Sequence, residues 1–155
     1  MKSMVNQMEL QQKANRLEQI KSQIEMLEEH KGMIEGLLEE HNEAKETMKT
    51  YEKKEEGTKI MVPIGADSYV HSKISDNDKV LIGLGADLSA ERKIDEAIEI
   101  IDRKKDKIKE NKKEIEEQIE EMTENAQELE QELRQEYQEL QKQQQQAQGG
   151  GQVFQ

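Results

Sequence analysis

The sequence contains no cysteine and no tryptophan, and its 155 residues include only one proline and one phenylalanine. The absence of cysteine excludes disulfides and thiolate metal sites, and it fits a reducing cytoplasm. Hydrophobic residues make up 32% of the chain and aromatic residues 3%, which is too little for a large globular core. Because 37% of the residues are charged, the composition predicts either disorder or long helices.

Long apolar runs and an excess of positive charge are also missing. No segment approaches the roughly 20 apolar residues that span a bilayer, and the N-terminal residues lack the apolar stretch of a signal peptide. The net charge of −12 argues against binding to phosphate backbones, which requires clustered Lys and Arg. We therefore expect a soluble, cytoplasmic protein that binds neither nucleic acid nor membrane.

Helix breakers divide the chain into three parts. The only proline, Pro63, shares a central segment with the glycines between 57 and 85, whereas the flanks are rich in Glu, Gln and Lys. We predict a first helix over residues 5–56, a β-hairpin segment over 57–88 and a second helix over 89–148, with Ser89 as its N-cap. Residues 149–155, which are rich in glycine and glutamine, are expected to form a flexible tail.

Both predicted helices carry apolar residues with a period of 3.5, which is typical of a left-handed coiled coil. In the first helix, eight of twelve a and d positions are apolar: a at Leu10, Leu17, Ile24, Lys31, Leu38 and Lys45, and d at Lys13, Ile20, Leu27, Ile34, His41 and Met48. In the second, eleven of fourteen are apolar: d at Ile94, Ile101, Ile108, Ile115, Met122, Leu129 and Glu136, and a at Ile98, Lys105, Lys112, Ile119, Ala126, Leu133 and Leu140. A seam this narrow requires one main partner.

The short central segment allows the two helices to fold back on each other as an antiparallel pair. If they leave that segment together, residues whose numbers sum to about 146 face each other, and a positions then face d positions. The fold class predicted from the sequence is thus mainly α with a small β insert, in which a long two-helix coiled coil carries central hairpins.

The central segment predicts short strands over residues 59–64, 69–75 and 79–84, with turns at 65–68 and 76–78. Isolated strands of this size are marginally stable and would expose apolar edges, so we expect them to pair with strands of other chains. No internal repeat is expected, and a solenoid is not predicted. The candidate oligomerisation residues are the apolar ones of these strands: Ile60, Val62, Ile64, Tyr69, Val70, Ile74, Val80, Ile82 and Leu84.

Sequence motifs for nucleotide, calcium or other metal binding are weak. The Gly83-Leu84-Gly85 sequence lacks the third glycine and the βαβ unit of a nucleotide-binding turn, so it is interpreted as the end of a strand. The Asp76-Asn77-Asp78 sequence lacks the later ligands of a calcium loop and is interpreted as a hairpin turn. The histidines at 30, 41 and 71 have no metal-ligand spacing. We expect no catalytic residues, no metal and no cofactor, and therefore no enzyme.

Loose apolar residues occur near both ends of the chain. An antiparallel helix pair would bring them to the same distal tip, where flexible methionines suit a surface that adapts to many partners. The alternative is a frayed end with incidental apolar residues. The candidate partner-binding residues at this tip are Met1, Met4, Val5, Met8, Tyr137, Leu140, Val153 and Phe154.

Three central motifs, placed between two heptad helices, resemble the archaeal prefoldin alpha subunit. They are Lys59-Ile60-Met61-Val62-Pro63-Ile64-Gly65-Ala66, Val80-Leu81-Ile82-Gly83-Leu84-Gly85 and Glu91-Arg92-Lys93-Ile94-Asp95-Glu96-Ala97-Ile98. The resemblance covers the whole chain, although the tail matches no fixed pattern.

The resemblance implies a hexamer of two alpha and four beta subunits, whose hairpins form a double β-barrel platform. It implies a fourth short strand near residues 86–89, because alpha subunits contribute two hairpins each. It also implies a chaperone that holds unfolded polypeptides without ATP and transfers them to a group II chaperonin. The competing interpretation is a structural coiled-coil assembly or a co-chaperone scaffold that binds no client itself.

Overall fold

The computed structural model describes the backbone from Lys2 to Gly149 and the side chains of residues 6–148. Two long helices flank two antiparallel hairpins, which confirms the expected fold class. Residues 150–155, most of the predicted tail, lie outside the described part. In chain order the elements are α1 (Lys2–Glu52), β1 (Lys59–Gly65), β2 (Ser68–Lys73), β3 (Lys79–Gly85), β4 (Leu88–Lys93) and α2 (Ile94–Gly149).

The structure divides into two units. The first comprises residues 1–32 and 113–155, and the second comprises residues 33–112. In the first unit, a segment of α1 lies against a segment of α2. The second unit contains the remainder of both helices and the two hairpins.

The predicted seam positions are the covered positions of both helices. Every a and d residue is buried or half-buried, whereas the positions between them are mostly exposed. This burial confirms the heptad assignment, because a narrow apolar stripe gains stability only when a partner removes it from water. The buried members are Leu10, Ile115, Ala126 and Leu133 in the first unit and Ile94 and Ile101 in the second.

The second hairpin, β3–β4, packs against the helices of its own chain. Ile82 of β3 forms a buried cluster with Ala97 and Ile101 of α2. Ala44 and Met48 of α1 pack against this cluster, as do Val80 and Ile100. The amine of Lys104 also donates a hydrogen bond of 2.6 Å to the Gly83 carbonyl, which joins α2 to β3.

The second helix begins at Ile94, so the prediction that it starts at Ser89 is wrong. Residues Leu88–Lys93 form the fourth strand instead, and Ser89 pairs with Gly83 in the β3–β4 ladder. The ladder supplies this segment with backbone hydrogen bonds, which outweighs the helix preference of Glu91, Arg92 and Lys93. The fourth strand that the resemblance implies is therefore present.

The segment Asp76-Asn77-Asp78 is not a hairpin turn, because β2 pairs with β1 and β3 pairs with β4. It connects the two hairpins and holds them at the end of α1. The Asn77 amide donates to the carbonyls of Glu52 and Lys54, at 3.4 and 2.6 Å, and the Tyr51 hydroxyl donates to the Asp76 carbonyl at 2.6 Å. The two Asn77 bonds satisfy carbonyls at the C-terminus of α1 and just after it.

The two hairpins have related sequences, so the expectation that the chain has no internal repeat is wrong. Residues 59–74 align with residues 79–94 at a spacing of 20, with Lys, Gly-Ala-Asp and Lys-Ile at corresponding positions. Their registers also correspond, since Lys59 pairs with Lys73 and Lys79 with Lys93. Both hairpins turn through Ala-Asp pairs with positive φ and have a register shift just before the turn.

Replacing Gly36 by Ala should stabilise the chain. Gly36 lies inside α1, and a Cβ added there meets no atom within 4 Å. Because alanine loses less backbone entropy than glycine on forming a helix, the free energy of unfolding should rise by about 0.5–1 kcal/mol. Urea unfolding followed by circular dichroism measures the change.

Gly85→Ala is the matched control. Gly85 is also spatially free, but its φ of +99° is rarely adopted by residues with a side chain. The same substitution should therefore destabilise the chain by about 1–3 kcal/mol there. Equal effects of the two substitutions would contradict the difference in backbone conformation.

Candidate functional site

An exposed apolar surface covers both hairpins. We call it the hairpin surface and define it by eight side chains that are 38–70% exposed: Met61, Val62, Ile64, Tyr69, Val70, Leu81, Leu84 and Leu88. So much exposed apolar area on small two-stranded sheets is typical of a surface that another chain covers.

The structure separates the predicted oligomerisation residues into two groups. Val62, Ile64, Tyr69, Val70 and Leu84 belong to the hairpin surface. The others lie partly or wholly inside the chain, with Ile74 and Ile82 buried and Ile60 and Val80 half-buried. Sequence reasoning missed Met61 and Leu81 because it followed one face of β1 and β3, although strands with two apolar faces indicate burial on both sides. It missed Leu88 because the residue pattern predicted no strand there.

Corresponding residues of the two hairpins have different surroundings. Ile82 is 5% exposed against the chain's own helices, whereas Val62, its counterpart in the repeat, is 38% exposed. Beside the first hairpin, Ile60 and Ile74 line an open groove of about 400 Å³ together with Tyr51 of α1. The first hairpin thus has the same apolar pattern as the second, but the helices of the chain do not bury its Val62 as they bury Ile82.

Some of the predicted tip residues lie together at one end of the first unit. Met8 and Tyr137 are exposed, and Leu140 is half-buried. Met1, Val153 and Phe154 lie outside the described residues, and the side chains of Met4 and Val5 are also not described. A groove at this end is lined mainly by polar residues, namely Asn6, Glu9, Leu10, Glu136, Glu139, Leu140 and Gln143.

Four seam lysines form salt bridges with acidic residues of the opposite helix. In the first unit the pairs are Lys13 with Glu132 and Glu136, and Lys31 with Glu116; in the second they are Lys45 with Asp102 and Lys112 with Glu35. The two residue numbers of each pair sum to between 145 and 149. A slip of one heptad would shift these sums by about seven, so the pairs confirm the predicted register.

Two of these bridges shift pKa values. The amine of Lys45 donates to the Asp102 carboxylate at 2.7 Å, and this hydrogen bond, together with the lysine charge, lowers the pKa of Asp102 below its ordinary 3.8. At Lys13, the hydrogen bond to Glu136 raises the pKa of the amine above its ordinary 10.5. The stabilisation from the Asp102 pair is therefore complete above about pH 3.8 and is lost as the pH falls through the lower folded value. Since both side chains are partly exposed, water screens the pair and its contribution is small.

Lys45→Met should raise the pKa of Asp102 toward 3.8, because the substitution removes both the hydrogen bond and the charge. Methionine is apolar and suits a seam position, so the helices should remain paired. NMR titration of the Asp102 carboxyl measures the shift. Lys31→Met, which removes a different bridge, is the control and should leave that pKa unchanged; an equally unchanged value in Lys45→Met would contradict the assignment.

The described residues offer little for metal binding or for spanning a membrane. Among the described residues, no three His, Asp or Glu side chains lie close enough together to hold a metal ion. His41 occupies its seam position with Nδ1 2.7 Å from the Leu37 carbonyl, within its own helix. Neither described helix has an apolar stretch long enough to cross a membrane.

A family model described as prefoldin subunit matches residues 20–139. The chain is 36% identical over 76 residues to prefoldin subunit alpha of Methanopyrus kandleri, a match that covers 49% of this chain and 48% of the relative. It is 30% identical over 107 residues to the Methanosarcina barkeri alpha subunit, covering 67% of this chain and 74% of the relative. The chain therefore spans about half the length of the first relative and about three quarters of the second.

A solved structure has a similar fold. The cryo-EM structure of filamentous PFD from Methanocaldococcus jannaschii matches with a TM-score of 0.68 and 26% sequence identity. The match covers 76% of this chain and 98% of that chain. The similarity thus includes nearly all of the filament subunit.

Proposed function

We propose, on the premise that this chain belongs to the prefoldin family as an archaeal-type alpha subunit, that it holds unfolded polypeptides without ATP and transfers them to a group II chaperonin. Prefoldin subunits are chaperones rather than enzymes, which fits the expected lack of catalysis. The observation that supports the proposal is the exposed hairpin surface, because an apolar surface of this kind suits assembly with other subunits and would leave the helix pair available to clients. The proposed compartment is the cytoplasm.

The proposed partners in assembly are prefoldin beta subunits, in a hexamer of two alpha and four beta chains. The hairpins would join those of neighbouring subunits into a β-barrel platform, which would cover strand edges and apolar faces together. The difference between Val62 and Ile82 supports this proposal, since the helices of the chain bury Ile82 but leave its counterpart in the first hairpin exposed.

Val62→Asp should prevent assembly while the helices remain folded. An unpaired carboxylate in a covered sheet costs several kcal/mol, whereas in the free chain Val62 is partly exposed and the charge remains hydrated. Size-exclusion chromatography with light scattering, on chains coexpressed with a beta-type subunit, measures the assembly, and circular dichroism measures the helices.

Thr58→Asp is the matched control, because Thr58 precedes β1 and lies outside the hairpin surface. It should leave the complex intact. An intact complex with Val62→Asp as well would mean that the platform is built without the first hairpin.

The proposed client contacts lie at the ends of the helix pair. Met8 and Tyr137 are exposed there, and Leu140 is half-buried. Several such tips in one complex would each hold an unfolded chain weakly, with multivalency raising the total affinity. No nucleotide is needed for this kind of binding.

The double substitution Met8→Gln with Tyr137→Gln should weaken protection of an unfolded client against aggregation, without preventing assembly. Each lost apolar contact removes at most about 1.5–3 kcal/mol and less where contact is partial, so the loss should be graded. Light scattering of a chemically unfolded protein, diluted into the assembled complex, measures protection. Gln7→Asn with Glu139→Gln is the control at the same end, and equal protection by both variants would move client binding away from these tips.

A purely structural role is the second candidate. It is favoured by the similarity to a filament-forming prefoldin. The same light-scattering assay distinguishes the two, because a scaffold would assemble yet leave aggregation of the client unchanged.

A further inference from the structure

An apolar groove lies on one side of the seam in the first unit. Leu27 and Met122, both d residues, form its floor, and Met26 forms part of its rim. The remaining lining residues are Gln23, Gln118 and Glu121, and the groove has a volume of about 330 Å³. Met26 is 67% exposed although it lies beside the seam.

The next groove along the same side is built alike but has a charged lining. Its floor is formed by Ile20 and Leu129, again two d residues, while Arg16, Asn125, Glu128 and Glu132 form the rim. Near Leu10 the groove is also mostly polar. An exposed methionine and a lining with one charged residue are therefore properties of the Met26 groove and not of the seam as such.

The charge around the groove favours a basic occupant. Glu121 is the only charged residue in the lining. Between residues 113 and 148, α2 carries eleven glutamates against three basic residues, so the field along this helix is negative. A flexible methionine accepts apolar side chains of different shapes.

We infer that the Met26 groove binds an extended apolar segment of an unfolded polypeptide that carries lysine or arginine beside its apolar residues. The apolar side chains would contact Met26, Leu27 and Met122, and the adjacent basic group would lie near Glu121. This inference rests on the proposed holding function, and it adds a second contact site and a preference among clients.

The test uses the assembled complex and two fluorescent peptides of equal length, one alternating Leu with Lys and one alternating Leu with Glu. Fluorescence anisotropy should show tighter binding of the Lys peptide, with a difference that decreases as salt is added. Met26→Gln should weaken binding of the Lys peptide roughly three- to tenfold, as expected for loss of one partial apolar contact. Met33→Gln is the matched control, because Met33 is 74% exposed on the same helix but does not line the groove.

Glu121→Lys is the second variant, and it changes only the rim charge. It should reduce the preference for the Lys peptide while helicity, followed by circular dichroism, stays the same. An unchanged preference in Glu121→Lys, or equal effects of Met26→Gln and Met33→Gln, would overturn the site.

The light-scattering assay separates failure of this site from failure of the proposed function. If the wild-type complex protects the client, and the Met26→Gln complex protects the client and binds the Lys peptide equally well, the groove is overturned as a binding site while the proposed function stands. If the wild-type complex gives no protection, both the proposed function and the binding site in the groove are overturned.

Discussion

The apolar seam between α1 and α2 is the interaction on which the described structure depends. Outside the seam, both helices are largely polar and contribute little burial of their own. Long isolated helices gain most of their stability from packing of an apolar stripe, and here that stripe is two residues in seven. The second hairpin depends on the seam as well, because Ala44 and Met48 of α1 pack against the cluster that Ile82 forms with residues of α2.

The lysines within the seam reduce its apolar area but define its alignment. A long side chain at an a or d position can bury its methylene groups while its amine reaches water or an acidic partner. Lys13, Lys31, Lys45 and Lys112 each reach an acidic residue of the opposite helix, and their side chains remain 22–33% exposed. A shift of one heptad in either direction would place Lys109 or Thr123 opposite Lys31 in place of Glu116. The bridges are individually weak, so they add little stability, and the Lys31 pair disfavours both shifted registers.

Heptad spacing made the helices and their seam predictable, and the short central segment made their antiparallel pairing and register predictable. The fourth strand was not predictable in the same way. Leu88–Lys93 contains one large apolar residue followed by Glu91, Arg92 and Lys93, which favour a helix, and its strand conformation comes from pairing with β3. The repeat between residues 59–74 and 79–94 is the signal that would have identified it.

Sequence could not distinguish the surroundings of the hairpins, since Val62 and Ile82 occupy equivalent places in the repeat. Their difference in burial arises from tertiary packing. The buried face of β3 meets two small residues, Ala44 and Ala97, which allow the strand to lie close to the helices.

At the first hairpin, Ile60, the counterpart of Val80, lines a groove together with Tyr51. The helices therefore bury one face of the second hairpin at Ile82, whereas Val62, at the equivalent place in the first hairpin, remains 38% exposed. Because the two hairpins share the same apolar pattern, cover for the first must come from groups that this chain does not place there. That requirement is the physical basis for the proposed assembly.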